Sequence, residues 1–193
     1  MDQERRRLIE LGAWSLLAAP VAALAQPKSS KPPETYREEE VVREASEFFS
    51  TGAKELSDVL GKVLKEKGLP VAIIKGEEGG GAIGVGLRYG NGKLAFRGGA
   101  GRKVYWQGPS IGFDLGANAV KVFALVYGLR SAERIFQRFP GVEGSLYFVG
   151  GFGVNYVQSG DTVIAPVRFG VGWRQGIGVG YMNFSPKRRL NPF

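Results

Sequence analysis

Gly108-Pro-Ser-Ile-Gly112 has the G-x-S-x-G spacing of a nucleophile elbow, the turn that lifts a serine hydroxyl toward a histidine base. The chain of 193 residues contains no histidine, so a Ser-His-Asp relay has no base. The residues after Ser110 do not open a helix either. Ile111, Phe113 and Leu115 alternate with Gly112, Asp114 and Gly116, which is the period of a strand. This spacing predicts two strands, Lys103 to Gln107 and Ser110 to Leu115, joined at Gly108-Pro109. What remains for catalysis is a Ser-Lys arrangement drawn from Ser110, Lys103, Asp114 and Arg88, with no supporting motif. Asp114 has two readings: a carboxylate in an apolar strand with a shifted pKa, or the structural partner of an arginine or of backbone N–H groups. Gly79-Gly-Gly-Ala-Ile-Gly84 spells G-x-G-x-x-G but lacks the strand-turn-helix unit that a dinucleotide site needs.

Cysteine is absent too. Disulfides, lipidation at a cysteine and the usual zinc, haem and transition-metal ligand sets are therefore out of reach, and nothing in the residue set calls for a cofactor. The expectation is a protein that is not an enzyme.

Residues 1–25 read as an export signal: Arg5-Arg6-Arg7, then a mostly apolar run from Leu8 to Leu24, then the small-x-small site Ala23-Leu24-Ala25. Arg5 to Ile9 also fits a twin-arginine signal, and both export routes stand. Pro20 and the shortness of the run argue against a retained span. The expected location is the periplasm, with cleavage after Ala25. Residues 26–34 are a polar, proline-rich tether.

Residues 35–68 carry apolar side chains at three-and-four spacing from Val41 to Leu64, which predicts an amphipathic helical segment. Thr35-Tyr-Arg-Glu38 is the expected capping box, Gly52 a dividing point, and Gly68 with Pro70 the stop. Its apolar face is expected to pack on the rest of the chain. Residues 69–193 change to short strand-like runs separated by Gly90-Asn91-Gly92, Gly98-Gly99 and Ser159-Gly160-Asp161, with one short helix from Ala132 to Arg138. The predicted fold is mainly β: a small soluble antiparallel β-barrel with an amphipathic N-terminal helix and one short helix between strands. Glycines two apart (Gly84 and Gly86, Gly151 and Gly153, Gly170 and Gly172, Gly176 to Gly180) put a glycine stripe on one strand face. Such a stripe admits sharp curvature, close packing of the helix, or an apolar ligand such as an acyl chain.

The net charge of +8 is unevenly spread. Residues 34–78 hold eleven acids and seven bases, whereas residues 79–193 hold four acids and fourteen bases. A basic body in the cell envelope suits an anionic component, a lipid headgroup or wall polymer, or another envelope protein. Nucleic acid is a poor partner for an exported chain, and membrane contact is peripheral at most. The candidate contact residues are Arg88, Lys103, Trp106, Asp114 and the tail cluster Lys187, Arg188, Arg189.

Three blocks carry a family likeness: K-V-Y-W-Q-G-P-S-I-G-F-D at Lys103 to Asp114, F-P-G-V-E-G-S-L-Y-F-V-G-G-F-G-V-N-Y at Phe139 to Tyr156, and the ending S-P-K-R-R-L-N-P-F. They resemble the EipA-like envelope-integrity family over most of Lys54 to Phe193. The resemblance implies a small soluble periplasmic β-barrel that supports envelope integrity, and it implies no catalytic residues. The glycine-rich strands are also loosely similar to the lipid-binding SYLF domain. Two functions follow: a non-enzymatic envelope protein that acts by binding, or a lipid-binding module with an apolar cavity.

Overall fold

The computed structural model describes residues 32–81, 85–111, 119–170 and 180–189. The expected leader, most of the tether, and Asp114 lie outside these residues.

Two helices come first, α1 (Glu38–Phe49) and α2 (Lys54–Lys67). The helix does not start at a Thr35 cap. The Tyr36 N–H donates to the Pro70 carbonyl at 2.8 Å, which ties the chain to the entrance of the sheet until Arg37. Arg37 is the N-cap, and Glu40 accepts its N–H at 2.8 Å. The break between the helices falls at Ser50, the left-handed C-cap of α1 with φ 57°, two residues before Gly52. Gly68 ends α2 as expected, its N–H on the Leu64 carbonyl at 2.8 Å.

Among the described residues ten strands follow: β1 (Ala72–Gly81), β2 (Val85–Phe96), β3 (Arg102–Ile111), β4 (Val120–Tyr127), β5 (Arg138–Pro140), β6 (Tyr147–Val149), β7 (Phe152–Val154), β8 (Val157–Ser159), β9 (Thr162–Phe169) and β10 (Tyr181–Ser185). All the pairings are antiparallel, in the order β5-β10-β3-β2-β1-β4-β9-β7-β6, with β8 also on β9. β5, one end of this path, meets β8, the strand that lies off it on the far edge of β9. Gly141, next to β5, bridges Val157 in β8, and the Val142 N–H donates to the Tyr156 carbonyl at 2.9 Å. The sheet thus curls into a barrel. Pro166 falls where β9 hands over from β8 to β7, a position at which a missing N–H costs least.

Three sequence expectations need correction. Gly90-Asn91-Gly92 is no hairpin: all three pair inside β2, opposite Glu78, Glu77 and Gly76 of β1. Gly108-Pro109 is no strand junction: β3 runs through it, with Pro109 opposite Leu87, just past the last pair with β10 at Gln107. The expected helix at Ala132 to Arg138 shrinks to a 3-10 turn, Ala132–Ile135, because Phe139 is drawn fully into the core and the chain must extend as β5 to deliver it. The turns at Gly98-Gly99 and Gly160-Asp161 are present, with φ +67° at Gly98 and +55° at Gly160.

Two apolar cores lie on opposite sides of the sheet. Outside it, α1 and α2 place Val41, Ala45, Phe49, Leu56, Leu60 and Val63 on Ile73, Phe123, Leu125 and Val167. Inside the barrel, Ile74, Leu94, Val104, Trp106, Phe139 and Phe184 pack together. Strand β4 serves both, with Val122, Ala124 and Val126 inward and Phe123, Leu125 and Tyr127 toward the helices, so it reads as an unbroken apolar run. Arg97 fastens the layers by giving Nε and Nη2 to Glu40 at 3.0 and 3.1 Å.

Candidate functional site

Two groups of polar residues stand out, one inside the barrel and one on its outer wall. The inner one begins with glycine. Glu78 of β1, Gly90 of β2 and Trp106 of β3 sit side by side across the sheet. A methyl group on Gly90 would lie 2.1 Å from the Trp106 ring, and one on Gly76 would lie 2.8 Å from it. The indole therefore lies flat over two glycine backbones, and its Nε1–H reaches the Glu78 carboxylate at 3.0 Å. This narrow interior is formed at Gly76 and Gly90, glycines outside the stripe singled out in the sequence. Of the pairs singled out in the sequence, Gly84, Gly172, Gly176 and Gly178 lie outside the described residues, and Gly151 belongs to the β6–β7 turn with φ +86°.

Around Glu78 the interior is charged. Arg168 of β9 donates through Nε to Glu78 Oε1 and through Nη2 to Oε2 at 3.4 Å, and its Nη1 reaches Asn155 Oδ1 at 2.7 Å. Arg88 of β2 is 2 % exposed, and its Nε and Nη2 have no hydrogen-bond partner among the described residues. Burial pushes the Glu78 carboxyl up, but Arg168 and then Arg88 outweigh it and hold the group below the ordinary glutamate value. Burial, together with the like charge of Arg168, brings Arg88 down to about 10 despite the opposing pull of Glu78. Glu78 lies three residues from the end of β1, Arg88 three from the start of β2, and Arg168 one from the end of β9. In an antiparallel sheet these strand ends are on one side, so the layer caps one end of the apolar core.

The outer wall of β1–β3 beyond the helices is basic. Lys75, Lys93 and Lys103 are cross-strand partners in one row. Lys75 is paired with Glu44 of α1, and Lys121 gives its Nζ to the Phe48 carbonyl at the end of α1. Lys93 and Lys103 are exposed, the Lys103 ammonium 5.3 Å from the Tyr105 ring centre. A groove of about 260 Å³ runs beside them between Tyr89, Tyr105, Lys103 and the tail residues Arg188 and Arg189. A second, of about 520 Å³, lies between Phe48, Lys75, Lys93, Lys103 and Lys121. This wall concentrates positive charge next to aromatic faces, a pattern that receives anions and polar rings.

A family model described as envelope integrity protein A matches residues 34–193. The chain belongs to the envelope integrity protein A family. A crystal structure of a β-barrel-like uncharacterized protein from Brucella abortus is similar, with 39% identity, 82% of this chain and 99% of that chain covered, and a TM-score of 0.76. No curated protein matches the chain. The family and the β-barrel expected from the sequence are thus both found. No helix among the described residues is long and apolar enough to cross a membrane.

In this EipA-family chain the candidate contact residues separate into two places. Arg88 and Trp106 belong to the interior layer. Lys103, Arg188 and Arg189 share the outer groove, whose wall the buried Trp106 also touches. Lys187 is exposed, and its carbonyl accepts the Ser185 hydroxyl at 2.7 Å. The Ser110–Lys103 dyad does not assemble: the two residues are seven positions apart on one strand, about 23 Å at ~3.3 Å per residue. Glu78, Arg168 and Asn155 were missed. The available signal was an arginine at the end of an otherwise apolar β9.

Proposed function

We propose that this EipA-family protein is a non-enzymatic periplasmic protein that supports envelope integrity by binding an anionic envelope component, a lipid headgroup or wall polymer, on the basic outer wall of β1–β3. The observation that carries this is the pair of exposed cross-strand lysines Lys93 and Lys103 beside Tyr89, Tyr105, Arg188 and Arg189, on the part of the wall beyond Lys75, which Glu44 of α1 already neutralises. Lysines facing outward in a row suit contact with anions in water and are the inverse of a lipid-facing barrel wall. The interior favours a surface binder over a carrier, because Trp106, Phe139, Phe184 and their neighbours occupy the space an acyl chain would need.

The test is sedimentation of the purified protein with anionic vesicles, zwitterionic vesicles and isolated wall fragments. Retention by anionic vesicles alone assigns a headgroup; retention by wall fragments alone assigns a wall polymer. A Lys93→Gln, Lys103→Gln, Arg188→Gln, Arg189→Gln variant should keep the fold. At roughly 1 kcal/mol per basic residue near an anionic surface it should lose affinity on the order of a hundredfold or more. Equal retention of the variant would remove the outer wall from the account.

A further inference from the structure

Tyr89, Asn91 and Lys93 are the outward-facing positions of β2, because Gly90 between them lies under Trp106 inside the barrel. Three hollows follow this row. The one of about 520 Å³ reaches Lys93 and Asn91, and the one of about 260 Å³ reaches Asn91 and Tyr89. A third, of about 340 Å³, lies between Tyr89, Asn91, Glu77 and Gly79. All three share Asn91, so they join into one furrow along the outer face of β2. From Lys93 to Tyr89 it runs four residues, about 13 Å at ~3.3 Å per residue. At Gly79 the furrow is bare: an added methyl group there would meet no atom within 4 Å.

The lining changes along its length. Lys93, Lys103 and Lys121 stand at one end, and the half-buried rings of Tyr89 and Tyr105 stand with Arg188 at the other. Between them Asn91 and Glu77 are cross-strand partners, both exposed. Ammonium and guanidinium groups receive carboxylates, the amide and the Glu77 carboxylate accept hydroxyl hydrogens, and an aromatic flank packs against the apolar face of a sugar ring. Glu77 repels a ligand that offers negative charge alone, whereas it gains a hydrogen bond from a ligand that also carries hydroxyls. A membrane surface fits the wall less well, because a protein that lies on a membrane buries apolar side chains in it. Among the described residues the large apolar side chains that are exposed are Leu69, Val142, Leu146 and Phe169, and none of them is on β1–β3.

We propose that this furrow binds an acidic polysaccharide, a chain of sugar rings bearing carboxylates, laid lengthwise along β2. The proposal rests on the outer-wall reading above and commits it to a glycan chain instead of a lipid surface. The lysines hold the carboxylates of the chain, Glu77 and Asn91 take its hydroxyls, and Tyr89 flanks a ring.

The experiment is a calorimetric titration of the purified protein with four probes: the galacturonate tetramer, the galacturonate monomer, poly-glutamate of matching charge and phosphatidylglycerol vesicles. The tetramer should bind saturably and far more tightly than the monomer. Two variants separate the furrow from charge alone. Gly79→Leu fills the bare stretch without changing a charge, and should weaken the tetramer while leaving poly-glutamate unchanged. Glu77→Ala alters only an exposed side chain, so it keeps the test open if Gly79→Leu does not fold. It should weaken the tetramer by about tenfold, the loss of one hydrogen bond to a charged group, and strengthen poly-glutamate. That opposition of sign is the signature of a glycan site. If the tetramer and poly-glutamate bind alike and Glu77→Ala strengthens both, or if poly-glutamate or the vesicles alone bind, the glycan site is overturned while the basic outer wall stands. If none of the four probes binds, both readings fall together.

Discussion

Gly90 and Trp106 are a matched pair, because the indole occupies the volume where any side chain at position 90 would begin. Gly90→Ala should therefore destabilise the protein by about 1–3 kcal/mol or more in urea unfolding, the cost of overpacking a filled core. In a Trp106→Leu background the same change should cost less, with a shortfall from additivity of roughly 1 kcal/mol. Full additivity would mean that the ring does not lie over Gly90. Glu78 makes the second prediction at this scale. Its ordinary value is 4.5 and its folded value is lower. The stability it contributes is complete above about pH 4.5 and is lost as pH falls through the folded value. Glu78→Gln leaves the buried arginines without a counter-charge and should cost about 3–5 kcal/mol at pH 7. Stability measured from pH 7 to pH 3 should fall more gently for the variant than for wild type. This chemistry was hard to read in the sequence. Glu78 stands in a run of glycines and acids that looks like a loop, and a one-residue parity decides whether it or Glu77 enters the barrel.

At the scale of elements, the helices were the most legible part. Their apolar spacing survives as buried Val41, Ala45, Leu56, Leu60 and Val63, and the lysines at the end of α2 remain on the exposed side. The cap was misread because the Tyr36–Pro70 hydrogen bond, a tertiary contact, overrides a good local motif. The apparent breaks in β2 and β3 have the opposite cause. Glycine and proline signal turns locally, whereas here the first makes room for Trp106 and the second sits where pairing with β10 has ended. Leu60 is fully buried between α2 and the sheet. Leu60→Ala should cost about 2–5 kcal/mol in urea unfolding, the usual loss for emptying a packed core position. A loss below 1 kcal/mol would show that the helices are loosely attached.

On the scale of the whole molecule, composition and charge were legible and closure was not. Fourteen bases against four acids in residues 79–193 announced a basic body, but only cross-strand register shows that Lys75, Lys93 and Lys103 form one row. The bridge that closes the sheet, Gly141 to Val157, joins residues with no local signal of pairing. Closure gives the protein an inside, filled with apolar side chains and topped by a charged layer, and an outside on which an acidic α1 and its neighbour α2 cover one wall and leave the other basic. On the function proposed above, the uncovered wall is the surface that meets an anionic envelope component. The most direct measurement is the affinity for anionic vesicles or wall fragments as a function of salt, for wild type and for the Lys93, Lys103, Arg188, Arg189 glutamine variant. The account predicts that wild-type affinity falls steeply as salt rises and that the variant binds weakly with a much flatter dependence. Parallel curves of equal height for the two proteins would contradict it.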